Sequence, residues 1–402
     1  MRIKIWGARG STSTPERRNS RYGGNTPCVE VRLANGTLIV LDCGTGLRAL
    51  GKSLLREFGE RAIHGFVFLT HFHWDHIQGV PFFLPLYKEG NLFFFHSADR
   101  KGLEIKAAIE GQMTNPYFPV KMDAMQARRH FFDLDFGSIN VDGAIITSGP
   151  LNHPQDCVGY RIEADRSIFV FATDTEPGSA VHDRSVRDLA QDADILIYDA
   201  QYTPQQLQGK KKGWGHSSWL EGSRIARECR VKHLLLYHHD PDSNDAYIDG
   251  LVERARQELS AVSGAAEGLR IDLQDSTIRW ATESLAENRR RERRVRMEFP
   301  VHVKWREVSG CQFETEGMTR DLSKGGIYFT APAEVNTQQP MQLGVELPEE
   351  ITGRRGLQVR YLAESVRREK VNGTLGFPGT TLGVAARFLR VLKETGDESL
   401  SS

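Results

Sequence analysis

The sequence has few cysteines, no net charge and no long apolar run, and each of these absences excludes a class of protein. Five cysteines are scattered through 402 residues and never fall in C-x-x-C spacing, so we expect neither a disulfide framework nor a cysteine zinc site, and a cytoplasmic location. Basic and acidic residues both number 52, which disfavours strong general binding to nucleic acid. No apolar run approaches the roughly 20 residues of a membrane span, and we expect no signal peptide at the N-terminus.

The apolar pattern divides the chain into two parts. Up to about residue 275, strand-like runs alternate with helix-like ones, and Asn35-Gly36 between two apolar runs predicts a β-hairpin. From Phe299 to about residue 392, short strand-like runs alternate with turns, which is typical of a small all-β barrel. The predicted organisation is an α/β domain at 1–275, a linker at 276–288, a β-barrel domain at 289–392 and a tail at 393–402.

A cluster of potential metal ligands follows the strand-like run FVFLT. His71, His73, Asp75 and His76 fall within six residues, and alternation along an extended chain puts His71 and His73 on one side. Burying these side chains without partners is unfavourable, and a bound metal offsets that penalty. Histidine with aspartate suits zinc best, with manganese or iron as alternatives. We prefer this interpretation to a solvated polar turn because so many ligands lie together.

The H-x-H-x-D-H pattern resembles the first metal motif of the metallo-β-lactamase superfamily. Three later positions match that family's order: His153 in a loop after a strand, Asp174 at the end of SIFVFATD, and His238 after LLLY. The resemblance implies an αββα sandwich that binds two divalent metal ions. His239 remains open as an alternative to His238. The implied ligands are His71, His73 and His153 for one metal, Asp75, His76 and His238 for the other, and Asp174 as the bridge.

Within that superfamily the chain looks most like the tRNase Z and phosphodiesterase branch. The resemblance rests on Asp75, on Asp174 and on His216 in the stretch GHSS before a predicted helix. It implies catalytic roles for Asp75 and His216, with His216 assisting the leaving alkoxide. The alternative for His216 is a structural residue next to cap-forming serines at a helix start.

One departure from the family pattern concerns the substrate. The H-E-A-T motif of tRNase Z is replaced here by Tyr198-Asp199-Ala200-Gln201, which lacks its histidine and weakens the case for tRNA processing. Asp42, after an earlier strand, is expected to orient one of the ligating histidines.

A run of arginines precedes the second domain. Arg290-x-x-x-Arg294, followed by Asp321-Leu322-Ser323-Lys324-Gly325-Gly326, resembles the two-part signature of the PilZ domain. Arg289 and Arg293 satisfy the same spacing, so the frame stays open. Guanidinium groups suit phosphate oxygens and guanine edges. The resemblance implies cyclic di-GMP binding by Arg290, Arg294, Asp321, Ser323 and Gly326.

Together these patterns predict a metal-dependent hydrolase with two metal ions and a regulatory ligand. The expected substrate is a cyclic nucleotide or a short phosphodiester, and cyclic di-GMP is expected to regulate the enzyme. The alternative is a non-catalytic cyclic di-GMP effector that binds partners through the metal-loaded domain. The oligomeric state, a homodimer included, and the sign of regulation stay open.

Overall fold

The chain forms two compact units, Met1–Glu283 and Ser284–Ser402, and each is described by itself. In this computed structural model the described residues are 1–98, 104–282, 295–296, 300–306, 311–323, 326–332, 335, 340–347, 357–371 and 381–395. Among them, no helix combines the length and the apolar character that a membrane crossing requires.

Strands and helices alternate along the first unit. Its strands are β1 (Arg2–Gly7), β2 (Cys28–Arg32), β3 (Leu38–Leu41), β4 (His64–Phe68), β5 (Leu92–Ala98), β6 (Arg128–Leu134), β7 (Gly137–Val141), β8 (Ala144–Leu151), β9 (Cys157–Ala164), β10 (Ser167–Ala172), β11 (Ile195–Asp199), β12 (His233–Tyr237), β13 (Val262–Gly264), β14 (Leu269–Gln274) and β15 (Thr277–Thr282). Its helices are α1 (Gly46–Phe58), α2 (Trp74–Ile77), α3 (Ile105–Gly111), α4 (Ala180–Ala190), α5 (Pro204–Gln208), α6 (Trp219–Glu228) and α7 (Asp245–Glu258). Short 3-10 helices occur at Arg17–Asn19, Val80–Phe82, Leu84–Tyr87 and Met122–Ala124.

The strands of the first unit form two sheets that pack face to face. Their orders are β15-β14-β1-β2-β3-β4-β5-β6 and β13-β12-β11-β10-β9-β8-β7. Apolar side chains of both sheets, such as Phe68 from the first and Phe171 from the second, make the core between them. Helices cover the outer face of each sheet. The first sheet packs against α1 and α3, through side chains such as Leu50 and Ile109. The second packs against α4, α6 and α7, through side chains such as Val186 and Ile225. The predicted αββα sandwich is confirmed.

Parallel strands bring several loops of the first unit to one edge. β10, β11 and β12 are parallel neighbours, and their register places Asp199 opposite Tyr237. In the first sheet β3 and β4 are also parallel. The Val158 N–H donates to the Thr70 carbonyl at 3.0 Å, which joins the edges of the two sheets beyond β4. The loops that follow β3, β4, β10, β11 and β12 therefore converge.

The second unit is a small antiparallel barrel, as predicted. Six strands close in the order β17-β20-β21-β22-β19-β18, and β16 pairs with β18 outside that ring. Val301, Phe329, Leu343 and Val384 lie in its core. The strands are β16 (Val295–Arg296), β17 (Pro300–Arg306), β18 (Gln312–Ser323), β19 (Gly326–Pro332), β20 (Met341–Leu347), β21 (Leu357–Val371) and β22 (Thr381–Thr395).

Two predicted domain boundaries differ from the structure. The segment 277–282, assigned to the linker, is β15, which pairs with β14 in the first sheet. The turn between the two strands has positive φ at Asp275 (49°) and Ser276 (59°), which is the conformation of a tight hairpin. The sequence did not predict this hairpin, because Asp-Ser lacks the glycine that is typical of such turns. β22 continues to Thr395, so the barrel also ends beyond residue 392.

We predict that His96 makes the stability of the first unit depend on pH. Its imidazole stacks on Phe68 and Phe132, and burial lowers its pKa from 6.5 to about 4. Since the unfolded chain binds this proton near pH 6.5 and the folded chain does not, the stability is fully present above pH 6.5 and decreases as the pH falls toward 4. One pH unit corresponds to about 1.4 kcal/mol. When the pH is lowered from 7 to 5, the free energy of unfolding should therefore fall by about 2 kcal/mol less in His96→Phe than in the wild type.

Urea unfolding at pH 7 and pH 5 measures this difference. His64→Phe serves as the control, because it removes a histidine of the same unit whose side chain is exposed to solvent. An equal pH dependence of His96→Phe and the wild type would contradict the prediction.

Candidate metal centre

Three histidines from two loops lie around one point at the shared edge. His73 Nδ1 is 3.0 Å from His71 Nε2 and 3.1 Å from His153 Nε2. Ligands of a tetrahedral zinc with bonds of about 2.0–2.1 Å are about 3.3 Å apart. The spacing of these nitrogens is close to that value, so one cation fits between them.

Asp75, His76 and His238 form a second group of the same size. Asp75 Oδ2 lies 3.3 Å from His76 Nε2 and 3.2 Å from His238 Nε2. The two Nε2 atoms are 3.3 Å apart. This triangle matches the edge expected around a single cation.

Asp174 lies between the two groups. Its Oδ1 is 3.8 Å from His71 Nε2 and 3.4 Å from His238 Nε2, and its Oδ2 is 3.4 Å from His76 Nε2. Asp174 lies two residues after the end of β10, and His238 directly follows β12. Both adopt positive φ (56° and 58°). This backbone conformation is uncommon for residues other than glycine, and it turns both side chains back over the sheet edge.

Every candidate histidine ligand is also held through its other ring nitrogen. Such contacts select the tautomer and the ring orientation that a metal needs. Asp42 contacts His76, as expected. The contacts are His71 Nδ1 to Thr70 Oγ1 (3.0 Å), His73 Nε2 to Gln155 Oε1 (2.9 Å), His76 Nδ1 to Asp42 Oδ2 (2.8 Å), His153 Nδ1 to the Gly215 carbonyl (2.8 Å) and His238 Nδ1 to Gln201 Oε1 (2.8 Å).

The alternative ligand His239 points away from this group. Its Nε2 donates to the Ala265 carbonyl at 2.8 Å, and its ring packs against Tyr22. Burial lowers the pKa of His239 to about 3, so the ring stays neutral. The geometry therefore favours His238 over His239 as the candidate ligand.

The protonation states of the group suit divalent cations. Burial raises the pKa of the Asp75 and Asp174 carboxyls, but the neighbouring histidines outweigh it and hold both pKa values well below the usual range. Burial also lowers the pKa of His71 strongly and that of His153 to about 4. Burial lowers the pKa of His76 too, but the neighbouring carboxylates raise it overall, so a cation bound there would displace the proton of His76. Ionised carboxylates and neutral imidazoles are the forms that bind metals, so the residues present fit two such ions.

His216 lies at the rim of this group and is held by Asp199. Its Nδ1 is 2.9 Å from Asp199 Oδ2, and its ring stacks on that of His238. Asp199 also accepts backbone N–H groups of Asp174, Gln201 and Ser217. Burial lowers the pKa of His216, but the carboxylates of Asp199, Asp174 and Asp75 raise it overall. Ser218 caps α6 through a hydrogen bond from the Glu221 N–H, as the structural alternative for His216 expected of its neighbouring serines.

The barrel brings part of the second predicted site together. Asp321 pairs with Arg296 across β16 and β18, and Ser323 pairs with Gly326 across β18 and β19. The end of the arginine run thus lies beside the D-x-S stretch. Arg290 and Arg294, like the alternative pair, lie outside the described residues, as does the Ser323 side chain.

Gly326 has a structural reason that differs from the one expected. The resemblance to the PilZ family implies a role for Gly326 in binding cyclic di-GMP. A Cβ at this position would lie 2.5 Å from the Ala386 carbonyl oxygen of β22, so glycine is required for the close packing of β19 on its neighbour.

Comparison with known families agrees with this geometry. The beta-lactamase superfamily domain matches residues 37–239, just over half of the chain. The chain belongs to the metallo-β-lactamase superfamily. Residues 288–394 match the PilZ domain, so the barrel is a PilZ domain. The first unit is thus the catalytic domain of a metal-dependent hydrolase.

Individual relatives lie at low identity. Ribonuclease Z of Haloarcula marismortui is 24% identical over 316 residues, which cover 66% of this chain and 94% of that protein. Ribonuclease Z of Porphyromonas gingivalis is 25% identical over 283 residues, covering 59% and 90%. The crystal structure of the metallo-β-lactamase fold protein YhfI from Bacillus subtilis covers 67% of this chain and 97% of its own, with 20% identity and a TM-score of 0.51, which supports the fold alone.

Sequence reasoning missed three residues of the metallo-β-lactamase domain that hold the site. Asp199 positions His216, Gln201 positions His238, and the Ser11 N–H donates to Asp75 Oδ2 at 2.8 Å. Asp199 could have been found, since it ends a buried apolar strand in the same way that Asp174 and His238 follow theirs. Ser11 carries no such signal, because its approach depends on a loop that precedes β2.

We predict that Gly10→Ala weakens one of two metal sites. A Cβ at Gly10 would lie 2.5 Å from His238 Nδ1, so alanine must displace the imidazole that completes the group with Asp75 and His76. Zinc titration against a competing chelator should show one tight equivalent and one bound at least tenfold more weakly. Gly250→Ala is the control, since a Cβ on α7 there meets nothing within 4 Å. Two tight equivalents in Gly10→Ala would contradict the role of His238.

Proposed function

We propose that the metallo-β-lactamase domain hydrolyses a phosphodiester and that cyclic di-GMP, bound by the PilZ domain, regulates this activity. The observation that carries the proposal is the pair of ligand groups joined by Asp174, with His216 and Asp199 beside them. The named relatives are ribonucleases, and RNA is a phosphodiester, which supports this substrate class.

Two divalent cations would be held by His71, His73 and His153, by Asp75, His76 and His238, and by Asp174 between them. When bound, such a pair supplies positive charge for the phosphoryl oxygens and a water of lowered pKa. Zinc suits this donor set best, with manganese and iron as alternatives.

Asp75 is the candidate proton acceptor. Its Oδ2 faces His76, His238 and the Ser11 N–H, whereas its Oδ1 forms no hydrogen bond within the described residues. The carboxyl stays ionised, because the histidines lower its pKa more than burial raises it. Oδ1 is therefore able to accept a proton from the attacking water.

His216 is the candidate proton donor to the leaving group. Asp199 engages Nδ1, which leaves Nε2 as the nitrogen directed away from the carboxylate. A histidine held by a buried carboxylate keeps one orientation and a stabilised cationic form. The leaving alkoxide of an ordinary phosphodiester requires such a proton, whereas a nitrophenolate does not.

The substrate we favour is small, either a cyclic nucleotide or a short phosphodiester. The stretch Tyr198-Asp199-Ala200-Gln201 lacks the histidine of the tRNase Z motif, and the chain carries no net charge to attract a long polyanion. All five cysteines are free, which favours a cytoplasmic location.

We predict that loss of His216 affects substrates according to their leaving group. His216→Ala should lower kcat/KM for a dinucleotide by about 10²–10⁴-fold, the usual contribution of general acid catalysis. It should lower kcat/KM for bis-p-nitrophenyl phosphate less than tenfold. Asp199→Asn should show the same pattern in weaker form, and the exposed His64→Ala, at the opposite end of β4, should show none.

Two results would contradict the proposal. Equal losses on both esters would exclude His216 as the proton donor. Full activity of Asp174→Ala on both esters would exclude the metal-dependent reaction at this site.

We predict that the arginine frame of the PilZ domain can be identified by calorimetry. Charged hydrogen bonds contribute about 1.5–3 kcal/mol each, so Arg290→Ala with Arg294→Ala should weaken cyclic di-GMP binding at least tenfold. Arg289→Ala with Arg293→Ala is the matched pair and should leave the affinity within a factor of three. The opposite ranking would assign the alternative frame.

An unchanged rate of hydrolysis with saturating cyclic di-GMP would exclude regulation of the enzyme by this ligand.

A further inference from the structure

A short loop of lysines and one tryptophan adjoins the metal centre. It runs from Gly209 to Gly215, between the end of α5 and His216, and we call it the Lys–Trp loop. Lys210, Lys211, Lys212 and Trp214 lie on it, and the Trp214 side chain is 54% exposed. None of these four residues belongs to the ligand groups or to the proposed proton-transfer pair.

The Lys–Trp loop is fixed to the site at one end. Glu176 accepts the N–H groups of Gly213 and Gly215, both at 2.8 Å. The Gly215 carbonyl accepts from His153 Nδ1, and a Cβ at Gly215 would lie 2.2 Å from that nitrogen. Its positive φ of 84° also favours glycine. The loop therefore has a defined position relative to a candidate ligand.

Ring contacts connect Trp214 to His216. The Trp214 and Tyr202 centroids are 6.4 Å apart, with the rings nearly perpendicular, and the Tyr202 and His216 centroids are 5.5 Å apart. Trp214 is thus two ring contacts from the proposed proton donor.

Lys211 places a positive charge between these rings. Its Nζ is 3.7 Å from the Trp214 centroid and 5.1 Å from the Tyr202 centroid. It makes no ion pair with a carboxylate in the part of the chain that the structure describes. An exposed cation–π contact contributes only about 0.5–1 kcal/mol, so the ammonium can exchange the ring for a phosphate at little loss.

We propose that the Lys–Trp loop is a nucleobase subsite, which makes the substrate a phosphodiester with a nucleoside on one side. The base stacks on the exposed face of Trp214, and Lys211 pairs with a phosphate oxygen of the same nucleotide. Aromatic stacking accepts any base and is worth about 1–3 kcal/mol per base. The inference rests on the proposed phosphodiesterase function and adds to it the chemistry that recognises the substrate.

Two esters with the same leaving group test the subsite. Thymidine 5′-p-nitrophenyl phosphate carries a nucleoside, and methyl p-nitrophenyl phosphate carries a methyl group in its place. The wild type should prefer the thymidine ester in kcat/KM. Trp214→Ala should reduce that preference about 5- to 150-fold, the range that corresponds to the stacking free energy, and should leave the methyl ester within a factor of two. Lys211→Met should raise KM for the thymidine ester, and Lys211→Arg should restore it.

Trp280→Ala is the matched control. Trp280 is also exposed, and its ring packs at a tilt against His233 at the start of β12, whereas His238 follows the end of that strand. This variant should leave both esters unchanged.

The outcomes separate the subsite from the chemistry. Hydrolysis of both esters, with a preference that Trp214→Ala does not change, would overturn the subsite and leave the phosphodiesterase intact. If neither ester is hydrolysed, the proposed function fails, and calorimetry with thymidine 5′-monophosphate then decides the subsite alone. Binding to the wild type that Trp214→Ala weakens at least fivefold supports the subsite. No binding to the wild type, or equal binding to both proteins, overturns it.

Discussion

The metal centre of the first domain depends on the close packing of ligand nitrogen and oxygen atoms at one edge of its sheets. Two triads of nitrogen and oxygen atoms face inward, with neighbouring atoms 3.0–3.3 Å apart. Lone pairs at such distances repel one another unless positive charge lies between them. A cation in each triad would remove that repulsion, and the carboxylates of Asp75, Asp174 and Asp42 raise the pKa of His76 despite its burial, which shows how strongly the site favours positive charge.

The parts of this site that sequence patterns predicted are those encoded locally. The H-x-H-x-D-H stretch places its ligands by alternation and one helical turn, and Asp174 and His238 follow apolar runs that could only be buried strands. The runs alone predicted an α/β domain, and the resemblance to the metallo-β-lactamase superfamily implied its αββα layers. The PilZ domain was recognisable because both halves of its signature occur in order on a β-rich segment.

The parts that the sequence concealed depend on contacts between distant segments. Gln201 meets His238 only because β11 and β12 are parallel and in a given register. Ser11 reaches Asp75 across 64 residues, and no periodicity predicts such a contact. β15 was assigned to the linker because its exposed Trp280 and its Asp-Ser turn obscure the alternation of an edge strand.

Gly215 connects the candidate metal ligands of the first domain to the Lys–Trp loop. Its carbonyl orients His153, and its amide, through Glu176, fixes the loop that bears Trp214. A single peptide unit thus contacts both groups, and by thermodynamic linkage any effect of one on the other is matched by an equal effect in return. If the loop binds a base as proposed, the affinity of this domain for a divalent cation would depend on which nucleotides the solution contains.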